Sequence, residues 1–600
     1  MLGSLPIAAM LAMAGAAAPP EEDLDVRIER AIDKGVEYLR GQMEQDPWSK
    51  RQVDRYAMGR PAIEVYALVK SDVSVYDPAV QAALQHLGGL KPSFTYCVAV
   101  YLMALDAALG QIEIELALGR GDPERKVRAT GPQADAFVRR MSELTSWLLS
   151  ARRKDGAVWD YGFSTNRFDN SNTQFAILAL GVAAKRGLRV PGEVWEAIAA
   201  HFVSTQQPDG PAVDPGVSFS RPRDERKGKT AVAGKNFREE QPPAVKARGW
   251  GYEDSKNSTL TMTAAGLSSL IIAREYLFKS DRFPVASRQR INQSIWDATA
   301  WLARAGLNYG DWLYYALYSV EKVGDLGMME KIGGIDWYRK GVDAILQNQR
   351  PDGSWAQTDS HDHNRRYQTA FALLFLNRAT DLMAHSRPLI LSGRGSGAGR
   401  DREGYVYIER LKGEVALNRL FRKLKYSPQP SAVRMCEDVV RDATRAGRPH
   451  ELIPYLIDLA SSPYKPIGEL ARRSLQEITG EQHEDLQSYR AWSETWSFVT
   501  KAAREKDRGA LPRLHDLFRT TASRALKMQV IWAFERIQAR EAAGDLLDAM
   551  GSDDAELRAR AYGAIKFLTS ERLPFDAGGP ASRRADQLDA WRKLIASKGM

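Results

Sequence analysis

A chain of 600 residues that is 44% apolar and 26% charged is globular in composition and too long for one compact core, so two or more domains are expected. The net charge of +9 is thin over that length and shows no dense basic stripe, which argues against nucleic acid as a partner. Two cysteines, Cys97 and Cys436, exclude a disulfide framework and a cysteine-rich zinc site.

Residues 1–20 open the chain with an almost wholly small and apolar run, Leu5 to Ala18, followed by Pro19, Pro20, Glu21 and Glu22. Such a run reads as a secretory signal cut near Ala16 to Ala18, which places the protein in the periplasm or cell envelope. The alternative is a disordered Ala-rich tail on a cytoplasmic protein. No later stretch is expected to reach the about 20 apolar residues of a membrane span.

From residue 24 to residue 384 two unlike segments alternate. One kind is amphipathic, with apolar residues at helical spacing and charges between them. It occurs at Ile28, Ile32, Val36 and Leu39; at Val80, Leu84 and Leu87; at Phe137, Met141, Leu144 and Leu148; at Val194, Ile198 and Phe202; at Ile291, Ile295, Ala298 and Leu302; and at Val342, Ile345 and Leu346. The other kind carries no charge: Thr95 to Leu105, Thr173 to Ala184, Leu260 to Ile272, Leu313 to Val320 and Thr369 to Leu376, with Ala62 to Val69 differing only by Glu64. A helix that is apolar all round must be buried all round. Six such helices inside and six amphipathic ones outside satisfy both requirements, so the expected class is all-α, an inner ring within an outer ring. Three connecting loops carry Asp-Gly turns: Gln349 to Trp355 (QRPDGSW), Gln206 to Gly210 (QQPDG) and Asp155 to Trp159 (DGAVW). Glycine there accepts positive φ, aspartate bonds back to turn amides, glutamine can satisfy helix-end carbonyls and tryptophan can cover the junction.

Gln349 to Trp355 matches the Gln-x-x-Asp-Gly-x-Trp repeat of triterpene cyclases, and the other two loops match it in part. With six helix pairs, residues 24–384 resemble the α6/α6 toroid of squalene–hopene cyclases and protein prenyltransferase β subunits. The resemblance implies that fold. It does not carry the chemistry across, since the chain lacks the Asp-x-Asp-Asp proton donor, the Asp-Asp-x-x-Asp magnesium motif, the thioester Cys-Gly-Glu-Gln and an aspartate two residues before Cys97 for a zinc site. The ring serves many functions, so function has to be read from its site.

Loops leading into the inner helices would share one rim, where helix N-termini favour anions by about 0.3–1 kcal/mol each. Three clusters there are the candidate sites. Asp169, Asn170 and Asn172 are ligand-binding candidates, with helix capping as the competing role. Trp250, Tyr252 and Asp254 form the second cluster, in which the tryptophan can equally serve as the cover missing after Asp209-Gly210. His361 and His363 form the third, beside Tyr367; nothing else supplies a third and fourth ligand, so no metal and no cofactor is expected. If the chain is an enzyme, Asp169, His361, His363 and Tyr367 are the catalytic candidates. The expanded polar stretch between Pro211 and Lys246 reads as a disordered insertion or a cover for this rim.

Residues 385–405 read as a Gly/Ser/Arg linker. In 406–600, Ala471, Ser474, Leu475, Ile478 and Thr479 followed by Trp492 are echoed by Ala561, Ala564, Ile565, Leu568 and Thr569 followed by Trp591. This resembles HEAT-type helical repeats, which present a surface to a partner; an irregular bundle is the alternative. The leading expectation is a non-catalytic protein that binds an apolar ligand or an unknown protein partner in the cell envelope. The competing one is a terpenoid cyclase- or prenyltransferase-like enzyme acting on an isoprenoid or other apolar substrate in the ring.

Overall fold

A computed structural model describes residues 24–48, 56–119, 128–153, 156, 158–163, 168–213, 223–224, 229–230, 244–253, 257–280, 282–327, 329, 331–356, 362–377, 414–445 and 449–598. These residues are mostly helical, and the class is all-α. Extended structure among them is confined to three two-stranded antiparallel pairs, β1 (Ala212–Val213) with β4 (Val245–Lys246), β2 (Arg223–Asp224) with β3 (Lys229–Thr230), and β5 (Lys331–Ile332) with β6 (Ile335–Asp336), besides a Gln349–Trp355 bridge. Residues 1–20 and 385–405, expected as signal and linker, lie outside the described residues. The chain divides into two compact units, Met1–Arg394 with Lys412–Lys423, and Gly395–Leu411 with Leu424–Met600.

In the first unit every uncharged run is helical: α2 (Gly59–Lys70), α4 (Thr95–Gly119), α6 (Asn170–Lys185), α8 (Leu260–Leu277), α10 (Leu313–Leu326) and α12 (Asp362–Leu376). The amphipathic segments are helical too: α1 (Leu24–Gln45), α3 (Pro78–Gly89), α5 (Pro132–Ala151), α7 (Gly192–Thr205), α9 (Val285–Ala305) and α11 (Trp337–Gln347). Their burial differs as their composition demands. From Thr173 to Ala183 every residue of α6 is buried, whereas α5 buries mainly a stripe that includes Met141, Leu144 and Leu148. The uncharged helices pack side by side, α2 on α4, α4 on α6, α6 on α8, α8 on α10, α10 on α12, and α12 on α2. The amphipathic helices lie against them: α1 on α12 and α2, α3 on α2, α5 on α4 and α6, α7 and α9 on α8, α11 on α10. One correction concerns length. Within α4, Thr95–Glu113 is long and apolar enough to cross a membrane, because Leu105 is followed by Ala107 to Leu109 and Ile112; 83% of that span is buried inside the protein.

Three loops are fastened alike. The indole Nε1 of Trp159, Trp250 and Trp355 donates to the carbonyl of Leu148, Phe202 and Ile345, near the end of the preceding amphipathic helix, at 2.7–2.9 Å. Each tryptophan's backbone N–H donates to a threonine hydroxyl on the next uncharged helix, Thr173, Thr263 and Thr369. Trp250 is therefore the cover after Asp209-Gly210, displaced by the insertion. The glutamines act at longer reach than helix-end capping. Gln206 Nε2 donates to Ser294 O on α9, and Gln349 Nε2 to Ala31 O on α1. Gly353 has φ +85° and a side chain there would strike Lys34 O, so the turn needs glycine.

The insertion leaves and rejoins this unit at one point. Ala212 pairs with Lys246 and Val213 with Val245. Buried Asp297 on α9 accepts Lys246 N–H and two Arg248 guanidinium bonds. Replacing 214–244 with Asn-Gly, a two-residue hairpin turn, is expected to change stability by less than about 1 kcal/mol. Urea denaturation of the shortened chain checks this, and loss of the folded state would show that the insertion holds the core.

After α12 come α13 (Glu414–Lys425) and, in the second unit, α14 (Pro430–Arg445), which precedes three successive segments of one pattern. Each has a short 3-10 turn, a short α-helix and an α-helix of 14 or 15 residues: α15 (Ile453–Leu459) with α16 (Lys465–Thr479), α18 (Leu511–Thr520) with α19 (Arg524–Ile537), and α20 (Ala543–Met550) with α21 (Ala555–Thr569). α17 (Leu486–Glu505) follows the first and α22 (Ala581–Ser597) the last; α15 packs on α16 and α17 as α20 packs on α21 and α22. The longer helices end in left-handed residues, Gly480, Gln538 and Ser570. The echoed Thr479 and Thr569 both return a hydroxyl bond to the carbonyl four residues back.

Candidate functional site

Four uncharged helices meet through aromatic rings. Tyr96 on α4 stands edge-on to Phe175 on α6, centroids 4.7 Å apart. Phe175 stacks on Tyr315 and Tyr318 of α10 at 6.1 and 5.7 Å, and these contact Phe371 of α12 at 6.2 and 5.2 Å. Tyr367 of α12 returns to Tyr96 at 6.5 Å. Tyr96, Tyr315 and Tyr367 are half-buried while Phe175, Tyr318 and Phe371 are buried, so the rings form an aromatic well with three partly exposed rings at its mouth. Burial pushes all four tyrosine hydroxyls above their ordinary pKa of 10.0, so they are neutral phenols. Gln174, fully buried, crosses between helices: its Oε1 accepts from Tyr315 and its Nε2 donates to Ser268. Beneath Tyr318 lies Lys322, paired with Glu321 at 2.7 Å.

Above the well sits a polar collar. Asp169 is the N-cap of α6: Oδ1 accepts Ser171 N–H at 2.8 Å, Asn172 N–H at 2.9 Å and the Ser171 hydroxyl at 2.7 Å. Its Oδ2 accepts Asn172 Nδ2 at 3.1 Å and the Tyr252 hydroxyl. The Tyr252 hydroxyl also lies 3.3 Å from that of Tyr161, and burial followed by the Asp169 hydrogen bond pushes its pKa up. Asn170 ties the collar to the loop before α8, donating through Nδ2 to Gly251 O at 2.9 Å. Its Oδ1 must then accept, so His201 Nε2, 3.3 Å away, is the protonated nitrogen.

Of the expected site residues, the structure therefore gathers Asp169, Asn170, Asn172 and Tyr252 into the collar and puts Tyr367 in the well. Trp250 is wholly buried under α8 and faces no opening. Asp254 and His361 lie outside the described residues; His363 falls within α12, its side chain outside them. Among the described residues no three His, Cys, Asp or Glu side chains are grouped to hold a metal. Sequence reasoning passed over Tyr96, Gln174, Phe175, Tyr315, Tyr318 and Phe371 because they sit inside runs read only as core. Their signal was available: an aromatic ring falls within the first three residues of the runs beginning at Thr95, Thr173, Leu313 and Thr369. Exposed rings also crowd the segments leading into α6, α8 and α10, namely Tyr161 and Phe163, Tyr252, and Trp312. A separate open groove between α3 and α5, lined by Gln81, Tyr101, Gln133 and Arg140, encloses about 750 Å³.

No family model, curated protein or solved structure matches this chain. The site has to be argued from its own geometry.

His201 makes the collar acid-sensitive. Burial, with a smaller contribution from Arg153, lowers its imidazole from 6.5 to about 4. The unfolded chain binds this proton near pH 6.5 and the folded chain only near pH 4, so stability falls as pH drops through that window, by about 3 kcal/mol in full. His201→Gln keeps a donor for Asn170 and is expected to remove that part of the acid loss. Urea midpoints at pH 7 and pH 4.5 for both proteins measure it; parallel losses would mean His201 does not titrate in this way.

Proposed function

We propose that residues 24–384 form an α6/α6 toroid of the squalene-cyclase and prenyltransferase kind, and that its mouth binds an apolar-bodied ligand without transforming it. The circuit of helix contacts, the last uncharged helix lying on the first, supports the toroid, as do the three identically fastened loops. One observation carries the binding reading. The best-placed carboxylate, Asp169, already accepts five hydrogen bonds, and the groups around it are neutral phenols and amides. That set can position and enclose a ligand, but its carboxylate acts as an acceptor and its phenols, pushed above their ordinary pKa, are poor proton donors. The second unit, with its recurring helix pairs, is proposed as a HEAT-like surface for a protein partner. Residues 1–20 support export to the cell envelope.

The test is incubation of the full chain with farnesol, a C15 isoprenoid alcohol. Saturable quenching of protein fluorescence, lost in Tyr96→Ala/Tyr367→Ala, with farnesol recovered unchanged, supports a binding mouth. Conversion of the probe to a new product would establish the enzyme reading instead. Absence of saturable binding would remove the mouth as a ligand site.

A further inference from the structure

We propose that the mouth selects a ligand with a cationic amine head, received by Asn172 Oδ1 at the start of α6, beside Asp169 and over the rings of Phe175 and Tyr315. This rests on the mouth being a ligand site, as proposed above, and adds the class of the ligand.

The orientation of Asn172 decides the matter. Its Nδ2 lies 3.1 Å from Asp169 Oδ2, and a carboxylate accepts only, so the amide cannot be turned round. Oδ1 is then an acceptor on a side chain only 3% exposed, and no donor among the described residues reaches it. Buried acceptors are nearly always paired, so this one has the capacity to take a further donor. Phe175, three residues on, lies on the same face of α6, which aims Asn172 toward the well. Asp169, the carboxylate that caps α6, lies beside this acceptor with its lone pairs occupied, and it offsets the partial positive charge of the α6 N-terminus.

The rings complete the case. Phe175 and Tyr315 lie 6.1 Å apart at 19°, and neutral aromatic faces attract a cation. A hydroxyl head would satisfy Asn172 too but gain nothing from Asp169 or the rings. A carboxylate or phosphate head would be repelled by Asp169 and would meet an acceptor where it needs a donor. The cations that act near the site are engaged: Arg60 acts on Tyr367 and lies over Trp48, Arg153 acts on His201, and Lys322, over the Tyr318 ring, is paired with Glu321.

Isothermal titration calorimetry of the full chain at pH 7 with hexylammonium, 1-hexanol and hexanoate tests this. Hexylammonium is expected to bind about tenfold more tightly than hexanol, with hexanoate weakest. Asn172→Leu, close in size, is expected to weaken hexylammonium by more than about tenfold and hexanol only about threefold, because a hydrogen bond from a charged donor is the stronger. Because that variant also removes a donor to Asp169, Phe175→Leu provides a second arm: it keeps an apolar side chain, removes the ring face, and is expected to lower only the amine's affinity. Equal binding of hexanol and hexylammonium, or an unchanged amine affinity in both variants, overturns the amine proposal alone. Failure of all three probes overturns the ligand-binding mouth and this inference together.

Discussion

Arg366→Met is expected to destabilise the first unit by about 3–5 kcal/mol, the cost of leaving one half of a buried ion pair unpaired. Glu64, the one charge in an otherwise uncharged run of α2, is 1% exposed, and Arg366 on α12 is fully buried. The guanidinium grips Glu64 with two bonds of 2.6 Å, donates a third to Asp46 O and lies over the Trp48 ring. Trp48 Nε1 gives Glu64 a further hydrogen bond at 2.8 Å. Glu64→Leu is expected to cost a similar amount. The double variant Glu64→Leu/Arg366→Met removes both charges and is expected to recover more than half of either loss, incompletely because Trp48 then lacks its acceptor. Urea unfolding followed by tryptophan fluorescence gives the cycle; single losses under about 1 kcal/mol would show that the pair is not desolvated.

Trp355→Ala is the second large effect, again about 3–5 kcal/mol, since a fully buried indole leaves a cavity that its neighbours cannot close. The neighbours are shaped for that ring. A side chain at Gly35 on α1 would come within 2.6 Å of the indole, and the same relation joins Gly266 to Trp250 and Gly324 to Trp337. Gly35→Ala is accordingly expected to cost about 1–3 kcal/mol through overpacking, despite alanine's better helix propensity. Differential scanning calorimetry of the two variants measures both, and an Ala at position 35 that stabilises would refute the close fit.

The helices were legible because charge is absent from whole segments and absent only from one face of others; burial alone sorts those two classes. The Asp-Gly turns were plain as turns, but of the expected positive φ angles only that of Gly353 is found; Gly210 is needed instead because a side chain there would strike Ala247 O. Two things were harder to read. The reach of Gln206 and Gln349 to a neighbouring helix depends on spatial adjacency between segments far apart in sequence, which periodicity does not encode. The aromatic well was hidden for a different reason: Phe175 and Phe371 have the same composition whether they pack against a neighbour or face an opening. The collar was half legible. Asp169 and Asn172 were recognised at a helix start, where capping and recognition use the same residue types, and only the observed partners separate Asp169, fully engaged, from Asn172, with one atom in reserve.

Gln349 reaches Ala31 and Arg366 reaches Glu64, contacts that join positions 318 and 302 residues apart. Such distant stitching gives the first unit a seam whose two edges leave the ribosome at opposite ends of its synthesis. Until α12 emerges, one flank of α2 has no cover and its glutamate lacks the Arg366 bonds. Early fragments would therefore be sticky, slow to settle and dependent on being shielded during translation.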